Sequence, residues 1–343
     1  MNIDKNISDE ILQVYNIDKL IENGEIKTVN INDIFTIKVD GCEINTDIRL
    51  KIDIFLDATC NANCPFCINK GKSGQTNSLY TNKLPYEEFV KRFDSLYDEI
   101  NSQSICKPFL MFTGGEPTIS PFFIPMINHL FERKIQFDLL TNGSNLLSKH
   151  NDIPLIKIMA KNCGGMHISR AHYDDNKNKE LMNLSKDFTN NDLDNIFKYI
   201  KSDFYGPYEV SLSCMMMKNG IHTVNDVKQY IETYSKYDNV LHSIVFREME
   251  DISELNDVNV ENILFRYKDI ENDLKNDKDF KLIDSVTKYD LEYYNHIYQY
   301  KDCNIPIIFT QPPEFKTKHN KITPFITLYP DGKVYKEYFT KLN

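Results

Sequence analysis

Cys60, Cys64 and Cys67 stand in the run Asp57-Ala-Thr-Cys-Asn-Ala-Asn-Cys-Pro-Phe-Cys67, a C-x3-C-x2-C spacing directly after the apolar stretch Ile52 to Leu56. Three thiolates on one short loop can hold three irons of a [4Fe–4S] cluster and leave the fourth iron open to a ligand that is not protein. A closed electron-transfer cluster and a structural zinc site each need four protein ligands. The other five cysteines (Cys42, Cys106, Cys163, Cys214 and Cys303) are scattered singly, and none forms a second C-x2-C pair. A disulfide framework is disfavoured by the length of the chain and by the lack of a secretory signal at Met1-Asn-Ile-Asp. The spacing favours an open cluster, with a zinc or structural role as the alternative.

A second motif follows one strand–helix unit later. Residues 109–118 read Phe-Leu-Met-Phe-Thr-Gly-Gly-Glu-Pro-Thr, an apolar strand running into Gly114-Gly115-Glu116-Pro117. Paired glycines let the backbone come close to a ligand, and a carboxylate accepts hydrogen bonds from an ammonium group. Alone, this turn would be an ordinary strand end; together with the cysteine loop it is specific.

With these two motifs, and with Leu139-Leu140-Thr141-Asn142-Gly143 ending a third strand, the sequence resembles the radical S-adenosylmethionine (radical SAM) superfamily. The resemblance covers roughly residues 50 to 250 and is closest to the branch with the molybdenum-cofactor cyclase and peptide-modifying enzymes. It implies a single [4Fe–4S] cluster on Cys60, Cys64 and Cys67 that binds SAM through its methionyl amino and carboxylate groups. One electron then cleaves the sulfonium to a 5′-deoxyadenosyl radical, which abstracts hydrogen from a substrate. Reduced flavodoxin or ferredoxin is the implied electron source. The hairpin of residues 325–335 leads into Val334-Tyr-Lys-Glu-Tyr338. Many relatives carry auxiliary-cluster cysteines there, so this departure argues against such a domain.

These motifs require strands that end in one place. Residues 31–40 and 44–56 alternate around Asp40-Gly41, a hairpin signal, and 8–23 have helical apolar spacing. Strands are expected at 51–57, 108–113, 135–141, 165–170, 208–216 and 240–247. Helices are expected at 85–101, 121–133, 189–201, 223–236 and 257–275. Six strand–helix repeats argue for a parallel sheet. The resemblance sharpens this to an α/β fold: a partial (β/α)6 barrel with an N-terminal hairpin and helix extension and a C-terminal α+β cover. The expected domains are 1–49, a core of 50–250, and 251–343, the last with two helices within 250–300 and a terminal hairpin. Parallel barrels carry their sites at the C-terminal ends of strands, where all three motifs fall.

The resemblance assigns roles to further positions. Gly114, Gly115 and Glu116 would hold the methionyl amino end of SAM. Phe66 matches an aromatic position near the adenine, Asn142 a ribose and methionyl position, and Ser213 a position near the ribose. Ser169 matches a serine of the fourth strand, whereas Arg170 stands where relatives have a hydrophobic residue. Period two places His167 and Ser169 on one face and Ile168 and Arg170 on the other. Arg170 and His172 could meet the SAM carboxylate or substrate, and Arg247, near the barrel mouth, could bind a carboxylate or phosphate with its fork or close the barrel in an ion pair. Cys303, with Cys163 and Cys214 behind it, is a candidate hydrogen-atom donor, weighed against a buried structural thiol.

The composition bounds the remainder. The 343 residues carry a net charge of −10, which disfavours a nucleic-acid partner, since phosphate binding needs clustered Lys and Arg. No apolar run approaches the roughly 20 residues that span a bilayer, and free cysteines point to a reducing cytoplasm. The expected activity is hydrogen abstraction from a small metabolite of a specialised biosynthetic pathway. A ribosomally made peptide that is crosslinked or epimerised is the second reading. A non-catalytic SAM or cluster-binding sensor or assembly factor is the third.

Overall fold

The computed structural model describes residues 21–22, 25–26, 34–46, 50–67, 82–104, 107–203, 209–249, 260–288, 293–310, 322–323, 325–336 and 340–342. The chain forms two compact units. One gathers Met1–Phe55, Leu79–Met111 and Lys318–Asn343; the other gathers Leu56–Ser78 and Phe112–Thr317.

In the first unit, Phe35–Val39 and Cys42–Thr46 pair antiparallel. Asp40 and Gly41 both take positive φ, 51° and 76°, which matches the right-handed twist that a two-residue hairpin needs. The first barrel strand, Lys51–Phe55, runs parallel to Phe325–Leu328, which turns back antiparallel into Val334–Lys336. The Asp331–Gly332 turn expected there is present, with Gly332 at φ 80°. The helix Tyr86–Gln103 buries Phe89, Phe93, Leu96, Tyr97 and Ile100, an i, i+4, i+7, i+8, i+11 stripe. Glu87 and Glu88 lie in its first turn, where negative charge suits the helix dipole.

The second barrel strand, Phe109–Thr113, begins in the first unit and ends in the second. From it the sheet continues through Phe137–Thr141, Cys163–Ser169, Glu209–Met215 and Ser243–Arg247, the third to sixth barrel strands. The third to sixth are parallel. The helices Phe123–Glu132, Leu155–Met159, Asp175–Met182, Asn190–Asp203 and Val224–Tyr234 alternate with these strands. Phe112, Phe123 and Phe137 meet edge-on at 5.0–6.3 Å and fasten the first of these helices to the second and third strands. A capping box between Thr223 and Asp226 starts Val224–Tyr234. This is the parallel α/β architecture of a partial barrel.

Two expectations need correction, and a third element was not foreseen. Within 257–275 the described helix is only Lys268–Asn276. Instead of a second helix there is an antiparallel hairpin, Phe280–Lys288 with Tyr293–Tyr300. The charges suggested a solvated helix, but Tyr298 and Tyr300 alternate into the core with Phe280, and aromatic residues favour a half-buried pleated surface. Third, Ile307–Thr310 is a further strand, parallel to Ser243–Arg247 and antiparallel to Tyr293–Tyr300. Four residues were too short to show periodicity. The helix expected over 8–23 lies outside the described residues, except Ile21–Glu22, which is a strand. Among the described residues no helix is long and apolar enough to cross a membrane.

Candidate active site

The cysteine loop is held from two sides. On one side, the backbone N–H of Gly115 donates to Asp57 O at 3.2 Å and that of Glu116 to Thr59 O at 2.8 Å. The approach is close enough to require glycine: a Cβ on Gly115 would stand 2.3 Å from Thr59 O and 2.8 Å from Ala58 C. Gly114 takes φ 113°, open to glycine and strained for other residues. On the other side lies the end of the helix Asp175–Met182, closed by Asn183 in the left-handed region. Asn63 N donates to Met182 O and Asn183 O, Ser185 N donates to Asn61 O at 2.9 Å, and the Cys64 thiol donates to Met182 O at 3.3 Å.

Glu116 is 2% exposed. Its Oε1 accepts from Thr118 N at 3.2 Å, Thr118 Oγ1 at 2.5 Å and Thr141 Oγ1 at 2.6 Å, and its Oε2 accepts from Asn142 N at 2.8 Å. Burial pushes this carboxyl upward, and the Asn142 N–H and the two threonines pull against that shift. A carboxylate has about four acceptor sites, two on each oxygen. Oε1 is therefore saturated and Oε2 keeps one site. Glu116 chiefly locks the glycine turn to the end of the third strand. An ammonium ligand could reach it only through Oε2.

Asn142 is likewise built into the scaffold. Its Nδ2 donates to Asn61 Oδ1 at 2.7 Å, its Oδ1 accepts from Ser144 N and Oγ, and Asn61 Nδ2 donates to Ser144 Oγ at 2.8 Å. Asn61 and Ser144 were missed in the sequence. Asn61 sits inside the cysteine motif, so its position was visible, but its partners lie more than 80 residues away. Phe66 packs with Met215 against Met249 and Val260, beside Ile263 and Leu264.

The fourth to sixth strands present a polar inner face. His167 Nδ1 lies 2.6 Å from Ser211 Oγ, its cross-strand neighbour. Ser169 is partly exposed beside Ser213. Ser213 Oγ accepts from Arg247 Nε at 2.7 Å, which uses part of the capacity expected for the ribose. Barrel interiors are dominated by Val, Ile and Leu, so a column of hydroxyls with one histidine and one arginine marks space for a polar ligand.

Two expected site residues are not brought there. Arg170 lies on the helix side of its strand and is fully buried. It donates to Tyr234 OH at 2.9 Å, Phe188 O at 2.6 Å, Asn190 Oδ1 at 3.2 Å and the Asp175 carboxylate. These partners occupy its fork, and the odd register turns it away from the lumen. Cys303 lies between Tyr293–Tyr300 and Ile307–Thr310, at the N-terminal end of the latter strand. Three strand steps, roughly 10 Å, separate Ile307 from Thr310, and Cys303 lies beyond Ile307. It is therefore at the opposite end of the strands from the cysteine loop. Cys163 begins the fourth strand, and Cys214, also buried, faces the helices beside Ala171 O at 3.5 Å. His172 stacks on Tyr173 at 4.3 Å and accepts from Asp174 N.

The loop fits a four-iron cluster. Its three thiols lie at the surface of the loop, Cys60 exposed and Cys64 and Cys67 partly buried. Ala62 N–H points at Cys60 Sγ at 3.4 Å, the kind of donor that tunes a cluster sulfur. Among the described residues no three His, Cys, Asp or Glu side chains converge on one ion. Ligands of a four-iron cluster bind separate irons, so they need no such convergence.

Comparison with known proteins agrees in sequence with this reading. Residues 57–233, just over half of the chain, match the model of the radical SAM superfamily. No curated protein matches in sequence. Among solved structures, Streptococcus suis SuiB bound to precursor peptide SuiA is 15% identical with a TM-score of 0.48, covering 65% of this chain and 44% of SuiB. A radical SAM methyltransferase from Sphaerobacter thermophilus is 13% identical with a TM-score of 0.42, covering 73% of this chain and 72% of that one. The chain thus spans less than half of SuiB's length. The family match contains the cysteine loop, the glycine turn and the third strand end that hydrogen-bond to one another, and the chain is an enzyme of the radical SAM superfamily, which works with a [4Fe–4S] cluster and S-adenosylmethionine.

Proposed function

We propose that the protein abstracts hydrogen from a small polar metabolite in a specialised biosynthetic pathway. The observation that carries this reading is the coupling of Gly115 N–H to Asp57 O and Glu116 N–H to Thr59 O. It sets the thiol loop and the glycine turn side by side. A cluster held by Cys60, Cys64 and Cys67 would supply the single electron for reductive cleavage of SAM, and the 5′-deoxyadenosyl radical so formed would be the hydrogen-abstracting species.

The chain's own residues position the parts. Cys60, Cys64 and Cys67 would hold three irons of the cluster. Gly114 and Gly115 offer backbone to the methionyl amino end, with Oε2 of Glu116 behind them. Asn142 positions the loop through Asn61. The apolar shelf of Phe66, Met215 and Met249 supports the adenine side, and Ser169 lines the lumen toward SAM. The hydroxyl-lined inner face supports a compact polar substrate. Flavodoxin or ferredoxin delivers the electron, in a cytoplasm that keeps the thiols reduced.

The test is anaerobic reconstitution with iron, sulfide, reductant and SAM, followed by a screen of deuterated candidate metabolites for label in 5′-deoxyadenosine. Label from a metabolite supports the reading. Label obtained only from a ribosomal peptide would replace the substrate class, and no 5′-deoxyadenosine above the cluster-free control would sink the proposed reaction.

A further inference from the structure

Arg247 is placed differently from Arg170, Arg266 and Arg92. Arg170 has the Asp175 carboxylate, Arg266 has Glu248 at 2.7 Å, and Arg92 has Asp40 at 2.5 Å. Arg247 is partly buried on the inner face of the sixth strand, and its one contact among the described residues is the neutral hydroxyl of Ser213. Nearby acceptors are already engaged. Both oxygens of Glu248, the next residue, are taken, one by Arg266 and the other by Tyr267 N at 2.9 Å. Thr310, Arg247's cross-strand neighbour, donates to Asn295. In a chain of net charge −10, a lumen-facing cation without a carboxylate among the described residues is conspicuous.

Arg247 is only partly buried, so its guanidinium can be reached from the lumen and can take a ligand of opposite charge. Nε is spent on Ser213, which fixes the plane of the guanidinium. Four N–H donors remain on Nη1 and Nη2, a fork that matches a carboxylate or a phosphate. The strand neighbour Met215 packs in the same apolar cluster as Phe66 of the cysteine motif. The fork therefore stands on the same lumen face as an apolar wall, which strengthens a charge-assisted pair.

We propose that Arg247, oriented by Ser213, binds an anionic group, carboxylate or phosphate, of the substrate. This rests on the proposed reaction, because the placement of SAM decides whose anion arrives. The amino and carboxylate groups of SAM share one carbon, so both must lie near the glycine turn at the end of the second strand. The sixth strand is four places along the sheet, about 19 Å measured along its curve at 4.8 Å per strand, so the two strand ends face the lumen from different sides. The anion at Arg247 belongs to the second reactant.

The test uses reconstituted holoenzyme and phenylglyoxal, which modifies unpaired guanidinium groups, with each arginine followed by peptide mass spectrometry. Sodium phosphate or sodium acetate is expected to slow modification of Arg247 at least about threefold, without changing that of Arg92; whichever protects better identifies the preferred group. SAM alone should leave the Arg247 rate unchanged. Phosphate should also raise the melting temperature of the wild type and not of Arg247→Gln. The proposal is overturned if neither anion protects Arg247, or if SAM alone protects it. Protection by an anion in protein that makes no 5′-deoxyadenosine would retain the anion site and remove the proposed reaction. Ample 5′-deoxyadenosine without anion protection would do the reverse.

Discussion

Gly115→Ala adds one carbon where the cysteine loop and the glycine turn touch. That carbon would sit 2.3 Å from Thr59 O, about 1.2 Å inside an ordinary contact of about 3.5 Å. The opposing atoms are backbone, with no side chain to swing aside, so the loop itself must move. A movement of that size stretches the Glu116 N–H to Thr59 O bond from 2.8 Å past the hydrogen-bonding range and breaks the Gly115 bond to Asp57 as well. Two hydrogen bonds at about 1 kcal/mol each and overpacking of about 1–3 kcal/mol give about 3–5 kcal/mol against the native loop geometry. Thr59 precedes Cys60, so the displacement passes directly to the first thiolate. The assay is iron and sulfide content with the visible spectrum after anaerobic reconstitution, alongside far-ultraviolet circular dichroism. The variant is expected to keep its helical signal, melt several degrees lower and take up markedly less iron. Full iron, an unchanged spectrum and a melting temperature within about 1 °C of wild type would refute the reasoning.

Other expectations follow from particular contacts. Alanine at Cys60, Cys64 or Cys67 should each abolish the iron-dependent visible absorbance, while Cys303→Ala should leave it and 5′-deoxyadenosine formation within about twofold, because Cys303 lies at the other end of the strands. Arg170→Ala should lower unfolding stability by about 3–5 kcal/mol in denaturant titration; an unchanged midpoint with lost turnover would contradict its structural assignment. Asp53 is 1% exposed beside Lys51 at 3.1 Å, and burial raises its carboxyl above the ordinary 3.8 even though Lys51 pulls it down. The folded state then holds the proton more tightly than the unfolded state. Wild-type stability relative to Asp53→Asn should therefore fall as pH rises from about 3.8 through the raised value, and recover on acidification. Urea unfolding of both proteins across that range checks the sign.

The chemistry was legible wherever it is local in sequence. C-x3-C-x2-C, Gly114-Gly115-Glu116-Pro117 and the apolar runs before them need only neighbouring residues to be recognised, and hydrophobic periodicity located the six barrel strands within a few residues. Burial and strand alternation together also explain Arg170. Its face relative to Ser169 was readable, but not that this face meets Tyr234, Phe188 and Asn190. The tyrosine-rich hairpin was hidden by its charges, because tertiary burial outweighed surface composition.

The motifs that mark the family were readable from the sequence alone: three cysteines, a glycine turn and their order along the chain. Only the tertiary structure decided what those groups face. It saturated one oxygen of Glu116, tied Asn142 to Asn61, moved Cys303 to the far end and left Arg247 facing the lumen on Ser213. The physical reason is range. Ligand spacing and turn conformation are properties of a few adjacent residues, whereas the partner of a buried charge is set by strand register across residues tens of positions apart.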